Sequence, residues 1–316
     1  MSRRLIKVLL INIFIIVFLF GCYPKMQTGS AVSGKRLKFG ASYMNMNNPF
    51  FVKLNDGIKK VVDSNNGKLI ALDSQLDNNK QLAQIDDLIA QKVDMIFLNP
   101  VDWKGVKPGL EAASKANIPV IVVDSPVYDD SLVTSTIVSD NYNAGVLCAQ
   151  DMVKRLNGKG NIVLLEHPTA KSAMDRIEGF VSTIKRYSDI NIVMKDNSNG
   201  QLEIAMDTMS RIMKNIKSFD AVMCLNDPTA MGVIAALQNS NKKEKVLVYG
   251  IDGSEEAIKM IENGSLTATA AQFPYKIGKA AAETALKKLK GEVVETYIKI
   301  PVELIDKKNL NKYYEN

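Results

Sequence analysis

The stretch LKFGASYMNMNNPFFVKL, residues 37–54, joins an apolar, strand-like segment to a segment with helical periodicity. Asn48 stands directly before a proline, an arrangement typical of a helix N-cap followed by proline at the first helical position. Phe50 and Phe51 then fall in the first turn. Because a helix has one core-facing stripe, neighbouring residues cannot both point into the core in the same way. The pattern therefore predicts that at least one phenylalanine has another role.

The alternation of strand and helix continues along the rest of the chain. Further apolar segments with the character of strands occupy residues 68–73, 94–99, 119–124, 134–139, 161–166, 190–195, 220–226, 245–252, 266–272 and 296–300. Helical patterns fill most of the gaps between them. Strand–helix alternation with fully apolar strands favours an α/β fold whose parallel sheets are covered on both faces.

One pattern of polar residues occurs twice, once in each half of the chain. A strand ending in Asn99 is followed by a helix and by a strand ending in Asp124, and Asn226 and Asp252 repeat the arrangement. In an open α/β sheet, ligands bind at the carboxyl ends of the strands. Two such lobes facing each other would gather all four side chains around one cleft. The alternative for each residue alone is a turn former or helix cap, a common role for Asn and Asp at strand ends.

The first 21 residues have the layout of a secretory signal peptide. A basic start, MSRRLIK, precedes the apolar run VLLINIFIIVFLF, and a glycine precedes Cys22. LFGC resembles a lipobox, which predicts lipid attachment to Cys22 and a location outside the cytoplasmic membrane, on its outer face or in the periplasm. An uncleaved membrane anchor is the alternative. Residues 22–36 are rich in small and polar side chains and predict a flexible tether.

Charge and composition argue against several functions. The net charge of +6 comes from lysines and arginines scattered among acidic residues, a solvated surface and not a nucleic-acid footprint. GSAVSGK, residues 29–35, fits a P-loop spacing, but Arg36 follows where a magnesium-binding hydroxyl should stand. We therefore expect no nucleic-acid partner, no cofactor and no bound metal.

Cysteine and histidine are scarce. Cys148 and Cys224 lie in a helical and a strand pattern, and we expect buried small side chains there and not a disulfide. His167 is the single histidine, so histidine-based zinc sites and most Ser-His-Asp or Cys-His arrangements are excluded unless His167 takes part. A hydrogen-bonded loop histidine is the expectation for His167, with ligand contact as the alternative. No nucleophile with an activating base can be assembled, so the chain is not expected to be an enzyme.

From about Arg36 to about Ile305 the chain resembles the sugar-binding proteins of ABC importers, specifically the ribose-binding type. The segments that carry the resemblance are NNPFF (47–51), LDSQ (72–75), NP (99–100), ANIPVI (116–121), SDN (139–141), DRIEGF (175–180), ND (226–227), VYGIDG (248–253), AQFPYKIG (271–278) and LKGE (289–292). The resemblance implies two Rossmann-like lobes, hinged by three crossovers, that close over a monosaccharide. It assigns residues 37–139 and 272–303 to an N-terminal lobe, and 140–271 and 304–316 to a C-terminal lobe.

The same resemblance implies a set of ligand-binding side chains in the interlobe cleft. They are Asn48, Phe50, Phe51, Asn99, Asp124, Asn226, Asp252 and Gln272. Aromatic rings suit the apolar faces of a sugar ring, and carboxylates and amides suit its hydroxyl rim. Core packing remains the alternative for Phe50.

Three positions depart from the ribose-binding pattern. Ser125 and Met174 stand where arginines are expected, and Gly200 stands where a phenylalanine is expected. Serine and methionine cannot replace the bidentate hydrogen bonds of a guanidinium group. We therefore expect a ligand other than ribose: a less hydroxylated or differently shaped sugar, a polyol or a small signalling furanose. Met44, Trp103, Ser125 and Met174 are further candidates for the cleft wall.

The resemblance also implies the function. A lipid-anchored, monomeric receptor would capture a monosaccharide or similar small polyhydroxy ligand by lobe closure and deliver it to an ABC permease. The alternative is a sensor that presents its closed form to a chemoreceptor or sensor kinase without transport. A repressor with the same core would need an N-terminal helix-turn-helix, where this chain has the signal-like segment.

Overall fold

The computed structural model describes residues 36–240 and 246–313. The predicted signal peptide, Cys22 and nearly all of the predicted tether lie outside the described residues. Within these two ranges, no helix is long and apolar enough to cross a membrane.

Strands and helices alternate through the described chain. The strands are β1 (Lys38–Tyr43), β2 (Lys68–Asp73), β3 (Met95–Leu98), β4 (Val120–Val123), β5 (Ser135–Ser139), β6 (Lys159–Glu166), β7 (Asp189–Asn197), β8 (Ala221–Cys224), β9 (Leu247–Asp252), β10 (Ala268–Ala271), β11 (Tyr297–Ile300) and β12 (Glu303–Asp306). The α-helices are α1 (Pro49–Ser64), α2 (Asn78–Ala90), α3 (Lys107–Lys115), α4 (Asn141–Arg155), α5 (Lys171–Ile184), α6 (Leu202–Asn215), α7 (Asp227–Gln238), α8 (Glu255–Asn263) and α9 (Pro274–Leu289). Short 3-10 turns occupy Asp130–Leu132 and Leu310–Tyr313.

The strands form two sheets of six, one in each lobe. Their orders are β11-β5-β4-β3-β1-β2 and β12-β10-β9-β8-β6-β7. The two orders are the same pattern repeated, with β6 in the place of β1 and β9 in the place of β4. All pairs are parallel except β10 with β12. The predicted α/β fold with two lobes of mainly parallel strands is confirmed.

Every strand expected from the sequence is present, and β12 is the addition. Glu303, assigned by the sequence to the first lobe, pairs with Ala271 in the second sheet. The short segment ELID follows β11 after only two residues, so the apolar pattern did not separate it from that strand. The chain passes between the lobes at Asp140, at residues 272–273 and at residues 301–302.

Helices α4 and α5 pack unusually close together in the second lobe. A Cβ at Gly145 of α4 would lie 1.8 Å from the carbonyl oxygen of Arg176 in α5, and one at Gly179 would lie 2.0 Å from that of Tyr142. Only glycine permits this backbone approach. The contact fixes the position of α5, the helix that carries Arg176 towards the other lobe.

The two cysteines within the described ranges are free and buried, as predicted. Cys148 lies on α4 and Cys224 ends β8. Burial raises the pKa of both thiols, so both remain protonated and unreactive at neutral pH.

Candidate ligand-binding cleft

A cavity lies between the two lobes at the carboxyl ends of their strands. The space at this position is about 520 Å³ when the part open to solvent is included. The residues that line it are Met44, Asn45, Asn48, Phe50, Phe51, Leu76 and Asp124 from the first lobe, His167, Ala170, Ser172, Ala173, Arg176, Asn199, Gly200, Leu225, Asn226 and Asp252 from the second, and Gln272 at a crossover.

The NNPFF segment forms one wall of the cavity. The Asn48 side chain caps α1 by accepting a hydrogen bond from the Phe50 amide at 2.9 Å. The rings of Phe50 and Phe51 pack edge to face, with centroids 5.2 Å apart and planes at 83°. Both rings line the cavity and belong to an apolar cluster that includes Ala173 and Leu225 of the second lobe. The two phenylalanines are therefore buried by the opposite lobe as well as by their own.

The first lobe presents one carboxylate to the cavity. Asp124 follows β4, is buried, and takes a positive φ of 66°, a conformation that costs energy in a non-glycine residue and that clusters at functional sites. Asn99 donates from Nδ2 to Asp124 Oδ2 at 3.0 Å and accepts from the Met44 amide at 3.1 Å. Asn99 is fully buried behind Asp124 and does not reach the cavity wall. Asn99 therefore holds the Asp124 carboxylate in position through this hydrogen bond.

The second lobe presents a carboxylate, a guanidinium group and an amide. Asp252 ends β9 with φ 143°, and its Oδ1 accepts from Gln272 Nε2 at 2.7 Å. Arg176 Nη1 lies 4.0 Å from the same oxygen. Arg176 is itself held by Asn141 Oδ1, 2.8 Å from its Nε, and by the Leu225 carbonyl, 3.0 Å from Nη1.

Asn226 combines a structural role with a place on the cavity wall. Its Oδ1 accepts from the Thr229 amide at 3.0 Å and caps α7. Its Nδ2 donates to the Gly200 carbonyl at 3.0 Å. Asn226 is therefore both a helix cap and a residue of the cavity wall, the two roles that the sequence suggested as alternatives.

Burial makes both cavity carboxylates weaker acids. Loss of water raises the pKa of Asp124 to about 6, partly offset by the charge of Arg176 and the hydrogen bond from Asn99. The pKa of Asp252 is raised well above its usual value, first by burial and then by the buried carboxylate of Asp227. A ligand that supplies donors to these oxygens favours their charged forms.

His167 lines the cavity and is 8% exposed. Its Nδ1 lies 3.3 Å from the Thr169 hydroxyl, and its Nε2 is buried without a partner. Burial lowers the pKa of the imidazole to about 4, so the ring is neutral at pH 7. The loop hydrogen bond expected from the sequence is present, and the residue lines the cavity as well.

The structure separates the other candidates from the cavity. Trp103 packs edge to face on Tyr128, and its amide donates to the Thr169 carbonyl across the lobe junction at 3.1 Å. The Ser125 hydroxyl accepts from the Ser172 amide at 3.2 Å, also between lobes. Met174 points outward and is 38% exposed. None of the three lines the cavity, whereas Met44 does.

Several lining residues were not predicted from the sequence. Arg176 was matched to the ribose-binding pattern without being assigned to the site, and only the structure shows that it is buried 4.0 Å from Asp252. Asn45, Leu76, Ser172 and Asn199 lie on loops or first turns, where nothing in strand or helix periodicity marks them.

The His167 environment predicts a pH dependence of stability. Its pKa is about 4 in the folded state and 6.5 as a free group, so below pH 6.5 the unfolded chain binds a proton that the folded chain does not. Stability is therefore lost as the pH falls from 6.5 to 4, by up to roughly 3 kcal/mol. Asp124 acts in the opposite direction because its pKa is raised.

We expect His167→Gln to lose less stability than the wild type over this pH interval, as measured by urea unfolding at each pH. The difference between the two proteins isolates the histidine, since Asp124 is common to both. Parallel stability curves would show that His167 titrates normally.

Two α/β lobes that enclose a polar cavity at the carboxyl ends of their strands define a class of protein that binds small solutes between its lobes. The chain belongs to the family of the periplasmic binding protein domain, whose model matches residues 39–292. Proteins of this family are extracytoplasmic and bind substrates without transforming them, so the expectation that the chain is not an enzyme is confirmed.

Individual relatives support this placement. The chain is 31% identical to the ribose import binding protein of Bacillus subtilis over 284 residues, which is 89% of this chain and 92% of the relative. It is 34% identical to the ribose import binding protein of Escherichia coli over 260 residues, 82% of this chain and 86% of the relative. A solved ABC transporter solute-binding protein from Bacillus halodurans with bound myo-inositol superposes with a TM-score of 0.83 at 26% identity, over 89% of this chain and 98% of that one. The predicted resemblance to sugar-binding proteins of ABC importers is confirmed.

Proposed function

We propose that the chain is the receptor of an ABC importer, which captures one small polyhydroxy ligand between its lobes and delivers it to a membrane permease. The observation that carries the proposal is the composition of the cavity. Two aromatic rings packed edge to face form one wall. Buried carboxylates come from both lobes, and a guanidinium group and amides complete the lining. This combination matches the apolar faces and the hydroxyl rim of a sugar or cyclitol.

The residues proposed to contact the ligand are Asn48, Phe50, Phe51, Asp124, Asn226, Asp252 and Gln272, joined by Arg176 and His167. Asn99 acts through Asp124. Because the contacts come from both lobes, a bound ligand stabilises the closed arrangement. The closed arrangement is also stabilised by contacts between the lobes. These are the hydrogen bonds Trp103–Thr169 and Ser125–Ser172 and the Lys53–Glu255 ion pair at 2.8 Å.

A thermal-shift panel on residues 23–316 tests the proposal. The protein is unfolded and refolded first to remove any carried ligand, and pentoses, hexoses, deoxysugars, amino sugars, cyclitols, polyols and furanoses are then added at about 1 mM. A micromolar ligand adds about 4 kcal/mol of stability, which raises the melting temperature by several degrees. A shift with one of these classes supports the proposal, and no shift with any of them contradicts it.

Anchoring is the second part of the proposal. LFGC and the preceding apolar run support lipid attachment at Cys22 of the mature protein. We expect the wild type to fractionate with membranes and Cys22→Ala to lose labelling by a radioactive fatty acid, as measured on immunoprecipitated protein. Cys148→Ala, which removes a buried thiol elsewhere, is the matched control. Equal labelling of all three proteins would contradict lipidation at Cys22.

A further inference from the structure

The cavity has more acidic than basic side chains. Among the described residues that line it, Asp124 and Asp252 are the carboxylic acids and Arg176 is the guanidinium group, and burial raises the pKa of both aspartates. His167 lines it as well, but burial keeps its imidazole neutral. Behind the wall, a third buried carboxylate, that of Asp227, adds to the negative field at Asp252. One guanidinium group therefore faces two carboxylates directly and a third at longer range.

The single guanidinium group is already committed in part. Arg176 Nε donates to Asn141 and Nη1 donates to the Leu225 carbonyl, while its approach to Asp252 Oδ1 is 4.0 Å. At that distance the pair is not a direct hydrogen bond. The two positions where arginines were expected from the resemblance hold Ser125 and Met174, and neither side chain lines the cavity.

One hydrogen-bond acceptor at the cavity lacks a donor. Gln272 donates from Nε2 to Asp252 Oδ1, which fixes the amide orientation because an amide oxygen would face the carboxylate unfavourably. Gln272 Oε1 is then left buried without a donor in a residue 5% exposed. Asp227, by contrast, is satisfied by the Thr269 hydroxyl at 2.6 Å and the Ser254 amide at 2.8 Å. Gln272 Oε1 and His167 Nε2 are thus buried atoms of the cavity side chains that lack a partner, and the first of them can only accept.

We propose that the ligand carries a protonated amino group, so that the substrate class is an amino sugar or an aminated cyclitol and the ammonium lies among Asp124, Asp252 and Gln272. An ammonium group has three donors, no acceptor and one positive charge. It therefore offers a donor to Gln272 Oε1 and a positive charge that favours the ionised forms of both aspartates, whereas a hydroxyl group offers a donor alone. The inference rests on the proposed function, since it names the substrate class of the same cavity.

Matched ligand pairs test the proposal by calorimetric titration of the refolded protein. Each set compares an amine, the corresponding hydroxyl compound and the uncharged N-acetyl derivative, for example D-glucosamine, D-glucose and N-acetyl-D-glucosamine, with galactose, ribose and inositol sets beside them. In at least one set, we expect the amine to bind at least tenfold more tightly than both neutral compounds. Neutral compounds that bind as tightly as their amines in every set would overturn the inference and leave the receptor function intact. No binding in any set would overturn both.

Variants show whether the charge is the cause. Asp124→Asn and Asp252→Asn each remove one negative charge while keeping the side-chain size, and we expect each to reduce the ratio of amine to hydroxyl affinity at least about threefold. Asp196→Asn is the control, because Asp196 lies on β7, pairs with Arg211 at 2.7 Å and does not line the cavity. The ratio is read only from variants with a wild-type unfolding transition. An unchanged ratio in both cavity variants would overturn the assignment of the ammonium to these carboxylates.

Discussion

Asp252→Ala is expected to weaken ligand binding at least tenfold, a loss of about 1.4 kcal/mol or more. The Asp252 carboxylate is buried at the cavity wall and organises Gln272 at 2.7 Å. A hydrogen bond to a buried charged group is worth about 1.5–3 kcal/mol, and the alanine variant also releases the Gln272 amide. We expect Asp124→Ala to have an effect of similar size, because Asn99 holds that carboxylate in the same way from the first lobe.

Calorimetric titration with the ligand found in the panel measures this change. The unfolding transition of each variant is recorded in parallel, since alanine replaces residues with positive φ at both positions. Asp196→Ala removes an aspartate from the same lobe as Asp252 and should bind like the wild type. If Asp124→Ala and Asp252→Ala also bind like the wild type, the cavity described here is not the ligand site.

Gly145→Ala is expected to cause the largest loss of stability among single substitutions outside the cavity. The added methyl group would lie 1.8 Å from the carbonyl oxygen of Arg176, backbone against backbone, where no side chain can rotate away. Overpacking of this kind costs typically about 1–3 kcal/mol and occasionally more. The helices must separate to relieve the clash, and α5 carries Arg176, so ligand affinity should fall as well.

Urea unfolding of Gly145→Ala and of the control Glu178→Ala tests this prediction. Glu178 lies exposed on α5, and a surface substitution there should change the free energy of unfolding by less than about 0.5 kcal/mol. Wild-type stability in Gly145→Ala would mean that α4 and α5 do not pack at this distance.

Most of the fold is predictable from the sequence, because the signals that mark helices and strands are local. The helix expected to begin at Pro49 does so and ends at Ser64, since an N-cap, a proline and an apolar stripe all specify the same element. Strand ends were equally well marked by Asn and Asp. The last strand, β12, was missed because it follows β11 after only two residues, so the apolar pattern does not separate the two strands.

The cavity was less predictable, because its wall depends on directions that a pattern does not give. Asn99 and Asp124 both follow strands of one sheet, yet one side chain is turned behind the other. Trp103 and Ser125 stand near strand ends and bridge the lobes instead of reaching the cavity. His167 and Gln272 show their unpartnered atoms only once their hydrogen bonds are known.

Trp103 provides the most direct test of ligand capture by lobe closure, because it is the single tryptophan of the chain and its amide bonds to Thr169 of the opposite lobe. The measurement is a titration of the refolded protein with the ligand found in the panel, in which Trp103 fluorescence and binding heat are followed on the same samples. Closure over the cavity predicts a saturable change in fluorescence with the same dissociation constant as the heat, shifted to higher concentration by Asp252→Ala. Binding heat without any change at Trp103 would contradict closure over the cavity.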